Sequence, residues 1–351
     1  MQWTNAIAAV AAFLITWLLG VWVIPMLHKL KYGQTILDIG PKWHKEKKQG
    51  TPTMGGIMFI IAVLLSFVVG MLIHYFSDPD AFVSAAGMPT ALQELIRSSA
   101  GFMLALMMGF MGFLDDFLKV KRKQNEGLSV IQKTILQILI IAAYFATLYL
   151  SGDTGTVITF PWGWQWEMGL LYYPIMGVAV YYIVNAVNLT DGIDGLCSSV
   201  TVVYMAAFAV ISTIVGAFGH TLLAMCVAGG CVGFLMWNFP PAKVFMGDTG
   251  SMFLGGAVCA LGIGCNAEVL MIIAALVYII EALSVVIQVT VFKITKKIYH
   301  TKEGKRLFKM TPIHHHFELS KWSEVKIDVV FTLVAALCGF AAVMCSLNIF
   351  Q

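Results

Sequence analysis

Apolar residues run along this chain in long unbroken blocks rather than in the short stripes of a soluble fold. A bilayer core about 30 Å thick needs roughly 20 apolar residues per helical span. Ten blocks read as spans on that scale: 3–27, 55–76, 98–114, 130–150, 170–187, 197–216, 221–237, 251–265, 269–292 and 327–349. The pattern predicts an all-α integral membrane protein of about ten transmembrane helices, one polytopic domain over residues 1–351. The longest connection, 293–326, has 34 residues and leaves no room for a separate soluble domain. One segment departs from the helical pattern. Residues 156–166, rich in Thr, Trp and Phe with Pro161 and Gly163 at the turn, read as a short β-hairpin whose tryptophans anchor at the membrane interface.

Composition narrows the class. Of 351 residues, 59% are hydrophobic and 12% charged, against about 25% charged in a soluble domain. A soluble single-core enzyme, a secreted disulfide scaffold and a disordered chain are excluded. The seven cysteines (Cys197, Cys226, Cys231, Cys259, Cys265, Cys338, Cys345) lie in apolar segments without metal-ligand spacing, and read as packing residues. The first apolar block reaches Leu27 without a small-residue cleavage site, so it reads as a retained helix.

Charge sets the orientation. Twenty of the 22 Lys and Arg fall in alternate loops: six in 28–53, four in 115–128, Lys243, and nine in 293–326. The opposite loops hold Arg97 against Asp78, Asp80, Glu94, Asp153, Glu167 and Glu268. By the positive-inside rule the basic side is cytoplasmic and both termini face out, which an even number of spans satisfies.

The polar motifs gather on that same side, in five cytoplasmic loops. Asp115 and Asp116 close the third block; adjacent carboxylates at a helix C-terminus repel each other and the dipole, so a cation should offset them. They read as a solvated turn, as a metal-linked pair, or as one metal-facing acid and one base. The run 185–195 places Asn185, Asn188, Asp191 and Asp194 among glycines, including Gly195, with no Lys or Arg to pair the acids. Such glycines suit close backbone approach to a phosphate. Gly247-Asp248-Thr249-Gly250-Ser251 offers amide and hydroxyl donors at a helix start plus a hard oxygen ligand, a combination suited to Mg²⁺ on a pyrophosphate; a plain Ser251 N-cap is the alternative. His314-His315-His316 cannot all face one zinc on regular backbone and read as phosphate or uracil contacts or as residues that order the loop; the oxygen-rich acids favour Mg²⁺ over Zn²⁺. Lys48, before a Gly- and Thr-rich turn that includes Thr53, reads as a phosphate ligand or a membrane-surface charge. Glu281 lies inside the ninth block, where an acid is either functional or paired for structure. Spacing alone stops at a membrane enzyme acting on a phosphorylated nucleotide or lipid. A secondary transporter would need midplane charges or related halves; Glu281 is the single acid well inside a block, and no half-to-half repeat is visible.

The segments Gly40-Pro-Lys-Trp-His44 with Lys48, Thr51-Pro-Thr-Met-Gly-Gly56, Phe113-Leu-Asp-Asp-Phe-Leu-Lys119, 185–195, Asn238-Phe-Pro-Pro-Ala242, 245–251 and Pro312-Ile-His-His-His-Phe-Glu318 carry a resemblance. The chain resembles the phospho-N-acetylmuramoyl-pentapeptide transferase family, within the polyprenyl-phosphate N-acetylhexosamine-1-phosphate transferase superfamily. The resemblance implies Mg²⁺-dependent transfer of phospho-MurNAc-pentapeptide from UDP-MurNAc-pentapeptide to undecaprenyl phosphate, giving lipid I and UMP. It also implies a homodimer in the bacterial inner membrane, with its site facing the cytoplasm and no nucleic-acid partner.

Residue by residue, Asp248 matches the family's Mg²⁺ ligand, with Asp191 a second candidate. Asp115 and Asp116 match the acidic pair, and Asp191 a loop acid once proposed as nucleophile. Asn188, Asp194, Phe245 and Gln288 match the nucleotide pocket, with Gly195 and Asn238 in the same substrate-binding set. Lys48, Thr53, Lys119, His314 and His315 match polar positions around uracil, ribose and phosphates. A relative using UDP-GlcNAc for another polymer is the nearest alternative.

Overall fold

The computed structural model describes residues 2–29, 50–77, 91–122, 127–153, 155–300 and 303–350. Lys48 and the 40–44 motif lie outside the described residues. The architecture is helical: α1 (Gln2–Lys29), α2 (Gly56–Ser77), α3 (Ala91–Arg122), α4 (Val130–Leu150), α5 (Tyr172–Thr190), α6 (Leu196–Val215), α7 (Phe218–Asn238), α8 (Gly247–Gly264), α9 (Glu268–Ala274), α10 (Leu276–Ile298), α11 (Ile313–Glu318) and α12 (Glu324–Phe350). Two strands, β1 (Val157–Thr159) and β2 (Gln165–Glu167), pair antiparallel as the expected hairpin, with Ile158 opposite Trp166.

Nine helices among the described residues, α1–α7, α10 and α12, are long and apolar enough to cross a membrane. The exception among the expected spans is α8. Its 18 residues open on Gly-Asp-Thr-Gly-Ser and include six glycines, which lower its hydropathy without stopping it from forming a helix. Every residue from Thr249 to Gly264 is buried, because α2, α3, α5, α6 and α7 pack around it. Small residues permit that close approach, as at helix contacts in membranes generally. A glycine-rich helix therefore forms the axis of the bundle.

Two expectations need correction. The block 269–292 is not one helix: α9 ends at Ala274 and α10 starts at Leu276, with Ala275 capping both. The third block continues well past Leu114, to Arg122, so Asp115 and Asp116 sit inside α3 rather than at its end. Lys119, Lys121 and Arg122 lie in the last turn, where positive charge complements the helix dipole and favours that extension.

A second polar network closes the opposite end. Arg97 donates through Nη2 to Asn266 Oδ1 (2.6 Å) and pairs with Asp153 (2.7 Å). Eighteen residues separate Arg97 from Asp115, about 27 Å along α3, close to the thickness of a hydrocarbon core. Nearby, the Tyr172 hydroxyl donates to buried Glu268 (2.6 Å), whose second oxygen has no hydrogen-bond partner among the described residues. Burial pushes the Glu268 carboxyl up to about 7, against the hydrogen bond from Tyr172. The folded chain then keeps a proton that the unfolded chain releases above its ordinary value of 4.5. This group's contribution to stability should fall as pH rises from about 4.5 to about 7, by on the order of 3 kcal/mol, and stay flat above. Thermal unfolding in detergent across that range, compared with Glu268→Gln, checks it: the variant should lack this part of the slope.

Candidate active site

The site is built where α3, α4, α5 and α8 meet at the basic end of the bundle. Local sequence sets each contributor. Ser129 and Gln132 form a reciprocal capping box that fixes the start of α4, which places Lys133 in its first turn. The amide of Leu128 donates to Asp115 Oδ1 (2.7 Å) and ties that turn to α3. Gly112 lets α3 touch α8: a Cβ there would fall on the backbone carbonyl of Asp248. At the start of α8, Gly247 holds φ +71°, and a Cβ on it would meet Asp116 Oδ2 and the Thr53 hydroxyl.

These contacts assemble three acids and two lysines. One carboxylate oxygen each from Asp115, Asp116 and Asp248 lies within 4.8 Å of the others. Lys119 Nζ stands 2.6 Å from Asp115 Oδ2 and 3.0 Å from Asp248 Oδ2; Lys133 Nζ reaches the same two oxygens at 2.9 and 3.1 Å. The offsetting cation that the adjacent acids demand is thus present twice. Asn188 Nδ2 donates to Asp248 Oδ1 (3.0 Å) and to Ser251 Oγ (2.8 Å). Burial works to raise the Asp248 carboxyl, but the ammonium groups of Lys119 and Lys133 and the Asn188 amide hold it well below the usual carboxylate range. Asp248 therefore stays ionised. Its side chain is 20% exposed, against 2% for Asp115, so Asp248 is the acid an incoming ligand meets.

The donors expected to bind a phosphate at the start of α8 are already engaged. Thr249 gives both its backbone N–H (2.9 Å) and its hydroxyl (2.8 Å) to Asp116 Oδ2. Ser251 is not the N-cap, a position held by Met246. Asp116 is consequently the acid that fixes α3 to α8.

The other predicted residues form a frame. Phe245 donates its N–H to the carbonyl of Pro52, beside buried Thr53, and accepts from Gly55, which joins the 50–56 turn to the start of α8. Asn238 accepts from the Gly195 amide (3.1 Å) and donates to the Val244 carbonyl (2.9 Å), while Asp194 accepts from Ala242 (2.9 Å). Asp191 caps the end of α5, three residues after Asn188, and stands outside the acidic triad. Gln288 braces the segment before α11 by accepting from Leu307 and Phe308 and donating to the Phe308 carbonyl. The three histidines take three different partners through Nδ1: His314 with Glu281, His315 with Glu318, and His316 with the Lys309 amide.

Lys133, and the pairing of Thr249 with Asp116, escaped the sequence reading. Lys133 left a signal, a solitary base inside an apolar block; Thr249 is ordinary in a helix start. Replacing Lys133 with Met keeps the apolar stem and removes the ammonium. We expect kcat to drop about 10²-fold with the fold intact, measured as product formed per folded protein; unchanged kcat would remove Lys133 from the site.

The donor set fits Mg²⁺, a hard cation that takes carboxylate oxygens and substrate phosphates together. Beside the site, an apolar groove of about 610 Å³ runs between α3 and α4, from Leu95 and Thr147 to Leu114 and Leu136. At one end its lining reaches Leu114, the residue before Asp115; the acids themselves do not line it.

Comparison with known proteins gives one answer. The Glycosyl transferase family 4 profile matches residues 99–266, a stretch that includes all three acids and both lysines. The phospho-N-acetylmuramoyl-pentapeptide-transferase signature 1 matches residues 48–60. A Clostridium perfringens phospho-N-acetylmuramoyl-pentapeptide-transferase is 41% identical over 337 residues, covering 95% of this chain and 96% of its own. Namesakes from Desulfitobacterium hafniense (39% identical, 96% of each chain) and Heliobacterium modesticaldum (37%, 99% of this chain and 98% of its own) match as fully. Signature and full-length similarity together show that this chain belongs to the phospho-N-acetylmuramoyl-pentapeptide-transferase family.

Proposed function

We propose that this enzyme transfers phospho-MurNAc-pentapeptide from UDP-MurNAc-pentapeptide to undecaprenyl phosphate, forming undecaprenyl-pyrophosphoryl-MurNAc-pentapeptide and UMP. The observation that carries the reading is the acid–lysine cluster, three carboxylates interleaved with two ammonium groups, one residue along α3 from the lining of an apolar groove. The groove gives an isoprenoid chain an apolar path that reaches Leu114, the residue before Asp115.

In the reaction an oxygen of the lipid phosphate attacks the β-phosphorus of the UDP-sugar in line. The bond from that phosphorus to the bridging oxygen breaks, and UMP leaves with the electron pair. Asp115, Asp116 and Asp248 would hold Mg²⁺, which when bound supplies charge neutralisation for the pyrophosphate and the departing UMP. Lys119 and Lys133 neutralise Asp115 and Asp248 in the structure; with the acids otherwise neutralised, their ammonium groups are free to take phosphate oxygens. Asp115 orients the lipid phosphate or accepts its proton, and Asp191 completes the polar shell with the nucleotide-facing residues. Catalysis here is positioning plus electrostatics.

The same reading places the basic end in the cytoplasm of a bacterial cell. With α8 counted, the helices make ten crossings of the inner membrane, with both termini outside and a homodimer as the working unit. Purified enzyme with both substrates and Mg²⁺ should release UMP in step with lipid product. Release of UMP, or its exchange into the UDP-substrate, without lipid phosphate would instead favour a covalent Asp intermediate. Absence of lipid product under these conditions would overturn the proposal.

A further inference from the structure

Glu281 is an acid in an apolar helix with no base on its own element nearby. It lies on α10, fully buried, where a charge is costly without a partner. Its partner comes from 33 residues away. His314 Nδ1 stands 3.0 Å from Glu281 Oε2, and the His314 backbone N–H points at the same oxygen from 3.4 Å. Both side chains have no exposure to solvent. The opposite edge of the imidazole lies against the turn after α5: a Cβ added to Gly192 would run into His314 Nε2, an atom with no hydrogen-bond partner among the described residues. The ring is thus pinned between Glu281 of α10 and the turn that bears Asp191 and Asp194.

His315 sits differently. Its ring contacts that of His314 with centroids 4.1 Å apart, its Nδ1 pairs with Glu318 at 2.6 Å, and its side chain retains 13% exposure. Of two histidines that the sequence treats alike, His315 has the accessible imidazole and His314 is sealed.

We infer that Glu281 is a positioning residue: through His314 it docks the short helix α11 onto the Asp191–Gly195 turn and thereby sets where His315 stands. The inference rests on the transferase reading, because what is positioned is a substrate-facing histidine. Carboxylates that orient an imidazole in this way typically contribute 10- to 100-fold to function when the imidazole is a metal ligand, and a comparable factor is expected here. Reach matters more than charge. Gln at this position keeps a hydrogen-bond acceptor at the same distance, whereas Asp keeps the charge and withdraws it by one methylene.

The test is a set of full-length variants, Glu281→Gln, Glu281→Asp, Glu281→Ala, His314→Ala and the Glu281→Ala/His314→Ala pair, assayed for lipid product and for thermal unfolding. Positioning predicts that kcat/KM per folded protein falls in the order wild type, Gln, then Asp and Ala together, the last two by about 10- to 100-fold. It also predicts that the double variant is no worse than His314→Ala. Asp more active than Gln, or losses that multiply in the double variant, would overturn the inference. Thermal unfolding needs no substrate, so the same double-mutant cycle reads the coupling even if transfer fails. Additive shifts in unfolding would refute the pair, whereas coupled shifts in a chain without transfer would refute the function alone.

Discussion

Asp248→Asn is expected to lower the rate of lipid-product formation by at least about 10³-fold while the protein still folds. The magnitude follows from what Asp248 does. It is the most exposed of the three acids, the two lysines and Asn188 keep it ionised, and its two oxygens meet Lys119, Lys133 and Asn188. Asn is nearly isosteric and its oxygen can still accept from Asn188, so the contacts of α8 with α3 and α5 survive. What disappears is the negative charge that would hold Mg²⁺ and keeps both lysines at the site. Losing one preorganised electrostatic group costs about 10²–10³ in kcat, and loss of a metal ligand adds to that. Rates should be measured over a wide range of Mg²⁺ concentrations with folding checked by thermal unfolding. Near-normal turnover at ordinary Mg²⁺ would refute the ligand role.

Gly112→Val should be almost as damaging although it touches no substrate. A Cβ at this position lands on the Asp248 carbonyl, and the contact is backbone, which cannot rotate away. Helices α3 and α8 must separate. Because α8 is sealed on all sides, the separation disturbs a core with no slack, at a cost typical of overpacking, roughly 1–3 kcal/mol or more. It also moves Asp115 and Asp116 relative to Asp248. A displacement of about 1 Å can cost 10²-fold in rate, so activity should fall by at least that factor even in molecules that fold. Gly112→Ala should show the same defect in milder form. Full activity of the Val variant, with wild-type unfolding, would mean that the α3–α8 contact does not position the acids.

Much of this molecule is legible in its sequence because the bilayer imposes a length rule. Nine of ten apolar blocks became helices long enough to span, and the hairpin at 156–166 formed where Pro161 and Gly163 predicted a turn. The limits of that reading are physical. The block 269–292 is uniformly apolar across the break at Ala275, so nothing in hydropathy marks it. The end of the third block was placed at Leu114 because charge begins there, whereas the helix continues on the strength of its basic last turn. Asp115, Asp116 and Asp248 were visible as motifs, but their convergence depends on Gly112, whose role is to be absent as a side chain. The demand for a cation beside the acid pair was readable; its source in Lys133 was not, because that base belongs to a neighbouring helix. The histidines were seen as a set of three, whereas packing against Glu281 and Glu318 separates them into individual tasks.

The most direct measurement is a transfer assay with undecaprenyl phosphate and, in parallel, radiolabelled UDP-MurNAc-pentapeptide and UDP-GlcNAc, each with Mg²⁺ and with chelator. The account predicts labelled lipid from UDP-MurNAc-pentapeptide only, dependent on Mg²⁺, with stoichiometric UMP. Labelled lipid from UDP-GlcNAc alone would contradict it.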